Sequence, residues 1–307
     1  MYPALEPSGH LRFVKGNGEI PTLGPRNTRL RQIKNTGDFD VTVNFNKYGF
    51  RDSKNLEDSA PGDYFLVGDS LSIGWGVEEE ERYSNLIQAA LGRKVFNLSI
   101  PGDMDNFEKV LGYAKKNGAK ITRLLLAISM SINLKNFEKK AEEKPAPSPR
   151  SGIVATLKPI LMTHSAFYFL VTSFVHKNEM LKKKAIELGF LNPSIEGVAH
   201  LPFSRENINS MTRRAARLAE KYETTIIIGH SRGLWFGTED EKKTAWRTHK
   251  AVIAQFKKIG LKVIDIGQAF SEDDDPQKNY FANDGHWSPK GHASAARAII
   301  KHLKAKN

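Results

Sequence analysis

The sequence predicts a three-layer α/β/α domain built on a five-stranded parallel sheet. Two patterns carry that expectation. Short apolar runs bounded by Gly or turn residues recur after residue 63, as in "YFLVGD" and "RLLLAIS". Between them lie segments whose apolar residues repeat at helical spacing. Strands alternating with helices imply βαβ units, and parallel neighbours need such crossovers. The composition agrees. The chain has 307 residues, of which 40% are hydrophobic and 26% charged. That is enough apolar material for a large core, and too little charge for a disordered chain.

Residues 1–60 are polar and lack a strong helical period. Within them "FDVTVNFN" (39–46) alternates apolar and polar residues, as a half-buried strand does. "NKYGFRD" reads as a turn. A small β-rich N-terminal segment packed on the main domain, residues 61–307, is therefore expected. "DYFLVGD" is the first buried strand. "ERYSNLIQAALG" follows with apolar positions 83, 86, 87, 90 and 91 and a stop at Gly92. "KVFNLSI" is a strand, "PGD" a turn and "DNFEKVLGYAKKNG" a helix. "RLLLAIS" (123–129) is the third strand. After an interruption come the helix "NINSMTRRAARLAEKY", the strand "TTIIIGH", the helix "EKKTAWRTHKAVIAQFKKIG" and the strand "KVIDIG". A loop and the final helix, "ASAARAIIKHL", complete a domain of flavodoxin-like character.

The interruption, about 134–205, is a helical insertion with a linker-like "EEKPAPSPRSG". An insertion at the C-terminal end of a parallel strand lies where such sheets bind ligands. It also holds the longest apolar stretch, 153–175. Lys158, Pro159 and His164 interrupt it, so the expectation is buried or amphipathic helix rather than a membrane span. The N-terminus lacks a basic region followed by an apolar one, which predicts a cytoplasmic protein.

No cysteine is present, so thiol catalysis and disulfides are excluded. The net charge of +12 suggests nucleic acid, but zinc-finger spacing, an RNP-like strand and a basic heptad region are all missing. Specific nucleic-acid binding is not expected. Lys135, Lys139, Lys140, Lys182, Lys183 and Lys184 concentrate charge in the insertion. They suit a solvated face, or attraction to an anionic polymer or membrane surface. Neither a phosphate loop nor a His-Glu-x-x-His motif occurs, so no cofactor and no metal are expected. The acidic run Glu272–Asp275 lacks calcium-loop spacing and reads as solvated.

Chemistry points to Ser70, at the end of the first buried strand. A serine hydroxyl needs a base to remove its proton, normally a histidine held by a carboxylate. "DGH", Asp284–His286, precedes the last helix. Loops after the first and last strands of a parallel sheet open on one edge, so Ser70 and His286 can meet. A second arrangement is present in "GHSRG", which fits Gly-x-Ser-x-Gly around Ser231, with Asp265 and His286 later in the chain. The following "LWFGTEDEKK" does not start a helix at once, as a nucleophile elbow requires.

Four blocks resemble the SGNH or GDSL hydrolases, in order and in strand context. They are "GDSLSIGWGV", "NLSIPGD", "LLLAISMSINL" and "DGHWSPKGH", and "NKYGFRD" resembles the lead-in of many bacterial members. The resemblance covers about residues 45–134 and 205–304. It implies Ser70 as nucleophile, His286 as general base, and an oxyanion hole from the Ser70 amide, the Gly102 amide and the Asn133 side chain. Two departures stand. The third block reads Ser131-Ile132-Asn133-Leu134, without the usual Gly and Asp. The position three before His286 is Asn283, so Asp284 is assigned as the orienting acid, as in superfamily O-acetyltransferases with Asp-x-His, and Asn283 is the alternative. His292 is expected to support the His286 loop. Trp75 and Trp287 flank the site, and Asp69 fixes the turn.

The implied activity is a serine esterase that removes a small acyl group, such as acetyl, from a glycan or small alcohol without a cofactor. The rivals are transfer of the acyl group to a polysaccharide and a non-catalytic binding module.

Overall fold

The computed structural model describes residues 5–6, 11–34, 36–138, 166–188, 201–229 and 232–305. Five strands form the main sheet: β4 (Tyr64–Val67), β5 (Val95–Asn97), β6 (Arg123–Ser129), β7 (Glu223–Gly229) and β8 (Lys262–Asp265). All neighbours are parallel, in the order β5-β4-β6-β7-β8. The three-layer α/β fold expected from the alternating pattern is the one observed.

The strands are apolar throughout because both faces are covered. Successive side chains point to opposite sides of a strand. Phe65, Val67, Leu124, Leu126, Ile128, Ile226 and Ile228 face one layer, made by α3 (Met104–Lys116), α7 (Arg205–Ala219) and α8 (Glu239–Lys258). Tyr64, Leu66, Leu125, Ala127, Ile227 and Ile264 face the other. There the cover is α2 (Tyr83–Leu91), α9 (Ile266–Ser271) and α10 (Pro289–Lys304).

The order in which strands are added reverses at β4, with β5 placed on one side of it and β6 on the other. Ligands of open parallel sheets bind outside the carboxyl ends of the strands at such a point. β4 ends at Val67, and the next element, α1 (Ser70–Ile73), begins after two intervening residues. α4 (Met130–Asn133) follows β6 directly.

The N-terminal region contains β1 (Leu5–Glu6), β2 (Thr28–Ile33) and β3 (Asp40–Phe45), in that order in a three-stranded sheet. Phe39, Val41, Val43 and Phe45 pack with Ile73, Val77 and Phe281. The side-chain oxygen of Gln32 accepts from the Gly76 amide at 3.2 Å. This sheet therefore lies against the chain that follows α1, next to the carboxyl end of β4.

From the insertion, α5 (Ala166–Lys177) and α6 (Glu179–Glu187) are described. Residues 153–165 of the long apolar stretch, and Lys139 and Lys140, lie outside the described residues. Among the described residues no helix is long and apolar enough to cross a membrane.

Candidate active site

Ser70 is presented by a sharp strand-to-helix turn. Asp69 caps α1, its Oδ1 accepting from the Leu71 amide at 3.0 Å. Gly68 lets the helix approach the sheet: a Cβ there would lie 2.3 Å from Ser72 Oγ and 2.9 Å from Ala127 Cβ. The far end of α1 is held by Arg51, from the "NKYGFRD" turn. Its guanidinium donates to the carbonyls of Ile73 (3.4 Å), Gly74 and Val77 (2.5 Å). Arg51 is fully buried, and burial, with the charge of Arg82, pulls its guanidinium down to about 9. Arg82 in turn donates to the Arg51 carbonyl. The turn that carries Ser70 is thus pinned at both ends.

Asp284 and His286 are on β10 (Asp284–Trp287), which pairs antiparallel with β9 (Tyr280–Phe281). The sequence suggested a loop here. A strand explains the Asp-x-His spacing better, because residues two apart share a face. His286 Nδ1 lies 2.5 Å from Asp284 Oδ1, and His286 Nε2 lies 2.8 Å from Ser70 Oγ. The His286 backbone amide also donates to Asp284 Oδ1, at 3.0 Å. Asn283 is turned away. Its amide donates to Asp38 Oδ1 at 3.1 Å, and its Oδ1 accepts from Lys182 Nζ at 3.4 Å. The carboxylate, not the neighbouring carboxamide, meets the imidazole.

Electrostatics fit this arrangement. Burial alone would push the Asp284 carboxyl up, but the hydrogen bond and charge of His286, then the Lys34 ammonium, outweigh it. They hold the acid well below the usual carboxylate range. Asp69 shows the opposite balance. Burial dominates and pushes it up to about 6, against the Leu71 amide and the charge of His286. His292, in α10, is buried and pushed down to about 3 by burial and by the charges of Arg51, Arg82 and His286. It is therefore neutral, and its Nδ1 accepts from the Tyr83 amide at 3.3 Å. That contact ties α10 to α2.

The remaining sequence candidates are distributed differently. Gly102 has φ +154°, where a side chain is strained, and a Cβ would sit 3.0 Å from Asn106 Cβ. Among the described residues, neither the Ser70 amide nor the Gly102 amide has an acceptor. Asn133 is 0% exposed. Its Nδ2 donates to the Ser129 carbonyl at 3.2 Å and its Oδ1 accepts from the Met104 amide at 3.1 Å. It is a buried tie between the end of β6 and the start of α3, rather than a side chain open to a substrate. Trp75 lies flat on His286, with centroids 5.1 Å apart. Trp287 does not flank a pocket: it is buried among Tyr83, Phe270 and His292.

Ser231 lies outside the described residues. Its expected partner Asp265 is engaged elsewhere, with His249 Nε2 at 2.7 Å and the Gln268 amide at 3.0 Å. The chain after β7 forms a short 3₁₀ turn, Arg232–Leu234, not a long helix. In the acidic loop, Asp273 is consumed by Asn279, Ser294 and Arg297. Among the described residues no cluster of three or more His, Asp or Glu side chains forms a metal site.

Lys34 is the contact that sequence reasoning missed. Nothing local in "QIKNTGD" marks a lysine whose partner is 250 residues away.

Residues 235–307 match the family described as "SGNH hydrolase-like domain, acetyltransferase AlgX". That stretch contains Asp284 and His286 but not Ser70. No curated protein matches the chain. Similar solved structures include a lipolytic G-D-S-L family protein from Veillonella parvula, at 14% identity and TM-score 0.41, covering 78% of this chain and 96% of that one. An acetylxylan esterase from Geobacillus stearothermophilus has 12% identity and TM-score 0.44, covering 81% and 96%. A lipase/acylhydrolase from Enterococcus faecalis has 15% identity and TM-score 0.40, covering 80% and 96%. The match to residues 235–307 includes the "DGHWSPKGH" block, and the chain as a whole has the three-layer α/β fold expected from its alternating strands and helices.

Proposed function

We propose that the protein is a serine-dependent acyl-ester enzyme with Ser70 as nucleophile, His286 as general base and Asp284 as the acid that orients it. The observation that carries this reading is the bridge made by one imidazole, 2.8 Å from Ser70 Oγ and 2.5 Å from Asp284 Oδ1. With Nδ1–H donating to the carboxylate, Nε2 carries the lone pair that accepts the serine proton.

The chemistry then follows. Ser70 Oγ attacks the ester carbonyl as its proton passes to His286 Nε2. The carbonyl oxygen becomes an oxyanion, and the Ser70 and Gly102 amides are the donors assigned to it. One such donor is worth about 2.7–4 kcal/mol in the transition state. His286 gives its proton to the departing alcohol, leaving an acyl-Ser70 ester. A second hydroxyl compound, deprotonated by His286, releases the acyl group and restores Ser70. Asn133, fully buried, enters as the support of the loop that carries Gly102.

Hydrolysis of a small acyl ester, acetyl on a carbohydrate, is the first reading, with water as the second hydroxyl. Transfer to a glycan hydroxyl is the second. It is favoured by the acetyltransferase description of the family that matches residues 235–307. The exposed Lys183 and Lys184 on α6 suit an anionic glycan as acceptor. A membrane surface is the other anionic partner compatible with these lysines.

The test is release of acetate from p-nitrophenyl acetate, with and without polysaccharide, by wild type and Ser70→Ala. The reading predicts activity that is lost in Ser70→Ala. Acetyl appearing on the polysaccharide identifies the transferase; free acetate unaffected by any acceptor identifies the esterase. Activity unchanged in Ser70→Ala contradicts both.

A further inference from the structure

One oxygen of the Asp284 carboxylate serves His286, and the other serves a residue from outside the α/β core. Oδ2 accepts from Lys34 Nζ at 2.8 Å. The lysine side chain is 16% exposed and the aspartate 8%. Lys34 follows β2 and starts the tight turn that leads to β3. Its amide donates to the Phe39 carbonyl at 3.0 Å, and its carbonyl accepts from the Gly37 amide at 3.0 Å. Two further residues of that turn grip the same hairpin. Asp38 takes the Asn283 amide, and the Phe39 ring packs on Phe281 with centroids 5.1 Å apart. The turn is therefore built against β9 and β10, not merely near them.

Resting on the esterase reading above, we propose that Lys34 is a positioning residue for the reaction, fixing the Asp284 carboxylate so that Oδ1 faces His286. The N-terminal sheet is then part of the catalytic unit. A carboxylate free to rotate presents either oxygen to the imidazole, or neither. Pinned through Oδ2 by an ammonium and through Oδ1 by the His286 amide, it has one orientation. The pair is largely removed from water, where a charge-assisted hydrogen bond is less screened than on the surface. It differs in that respect from the exposed Arg31–Asp40 pair of the same sheet.

Other charged groups border the hairpin and α1. Asp69 lies beneath Ser70, His292 approaches from α10, and Arg232 donates to the Ala282 carbonyl at 3.2 Å. Asp38 and Lys182 both meet Asn283. Lys34 alone contacts Asp284 Oδ2 among the described residues. Its positive charge opposes a second positive charge on the nearby imidazole. Removing it makes protonation of the base easier, so the acid limb of the pH–rate profile moves to higher pH.

The experiment measures the rate of Ser70 modification by a fluorophosphonate from pH 5 to 9 in wild type, Lys34→Met and Lys34→Arg. Thermal unfolding verifies that each is folded. Lys34→Met is expected to react about tenfold more slowly on the plateau, with its acid limb about half a pH unit higher. Lys34→Arg is expected to restore both. A purely structural lysine would alter melting without moving the limb. A folded Lys34→Met with wild-type rate and limb, or a Lys34→Arg that behaves like Lys34→Met, overturns the proposal. A second measurement does not need the methionine variant to fold. Reductive methylation of Lys34, followed by mass spectrometry, should be several-fold faster in Asp284→Asn than in wild type; equal rates overturn the contact. A wild type unlabelled at Ser70 instead contradicts the esterase reading, and the methylation rates then decide the Lys34 contact on their own.

Discussion

The indole of Trp75 and the imidazole of His286 are stacked, with planes 14° apart and centroids at 5.1 Å. The Trp75 amide donates to the Ser70 carbonyl at 3.3 Å, so one residue is fixed to the serine turn and covers the histidine. An aromatic face attracts the cationic form of the ring, which exists only after the serine proton has moved. Trp75→Ala is expected to slow modification of Ser70 by about tenfold, from a loss of about 1–1.5 kcal/mol of stacking. Trp75→Phe should retain most of the rate. Fluorophosphonate kinetics on the three proteins check this; equal rates would show that the stack plays no part in the reaction.

In the proposed mechanism the Gly102 amide is one of two oxyanion donors, and its φ of +154° suits glycine. An added methyl group presses on Asn106 and shifts the amide. Gly102→Ala is expected to lower kcat for p-nitrophenyl acetate by about 10²–10³, while KM changes little. A steady-state kinetic comparison tests the split. A rise in KM alone would assign Gly102 to ground-state binding.

Asp69 makes stability depend on pH in a specific direction. Its folded value, about 6, is above the ordinary 3.8. Between pH 4 and 6 the folded chain keeps a proton that the unfolded chain has lost. The contribution of Asp69 to stability is therefore largest at low pH and falls as pH rises through that window. Asn caps a helix as well as Asp and carries no charge. Relative to wild type, Asp69→Asn should gain about 2 kcal/mol between pH 4 and pH 7. Urea unfolding of both proteins at pH 4, 5, 6 and 7 measures the difference; a difference constant with pH would place the Asp69 charge in a well-solvated setting.

Much of the core was legible because its signals are local. "RLLLAIS" became β6 over the same residues, and the stop at Gly92 is a left-handed cap after α2. Buried parallel strands read as continuous apolar runs, so their pattern survives without tertiary information. The site was legible to the extent that it sits at strand ends. The rule that parallel strands open on one edge places Ser70, but His286 reaches it from β10, a strand of the antiparallel hairpin beyond β8 and α9, which that rule does not describe. What was hidden depends on contacts between distant segments. The sequence marks Asn133 as a polar residue at a strand end, but not that its carboxamide is buried and bonded to Ser129 and Met104. Trp287 and Trp75 look alike in sequence, and only packing assigns one to the core and the other to His286. Lys34 and Arg51 act across the boundary between the N-terminal sheet and the α/β core, where no periodicity points to a partner.

The proposed mechanism makes Ser70 the nucleophile and His286 the base that activates it. Its most direct measurement is the site of fluorophosphonate attachment, read by peptide mass spectrometry on wild type and His286→Ala. A single adduct on Ser70 is expected in the wild type and almost none in His286→Ala. An adduct on Ser231, or labelling of Ser70 that persists without His286, would contradict it.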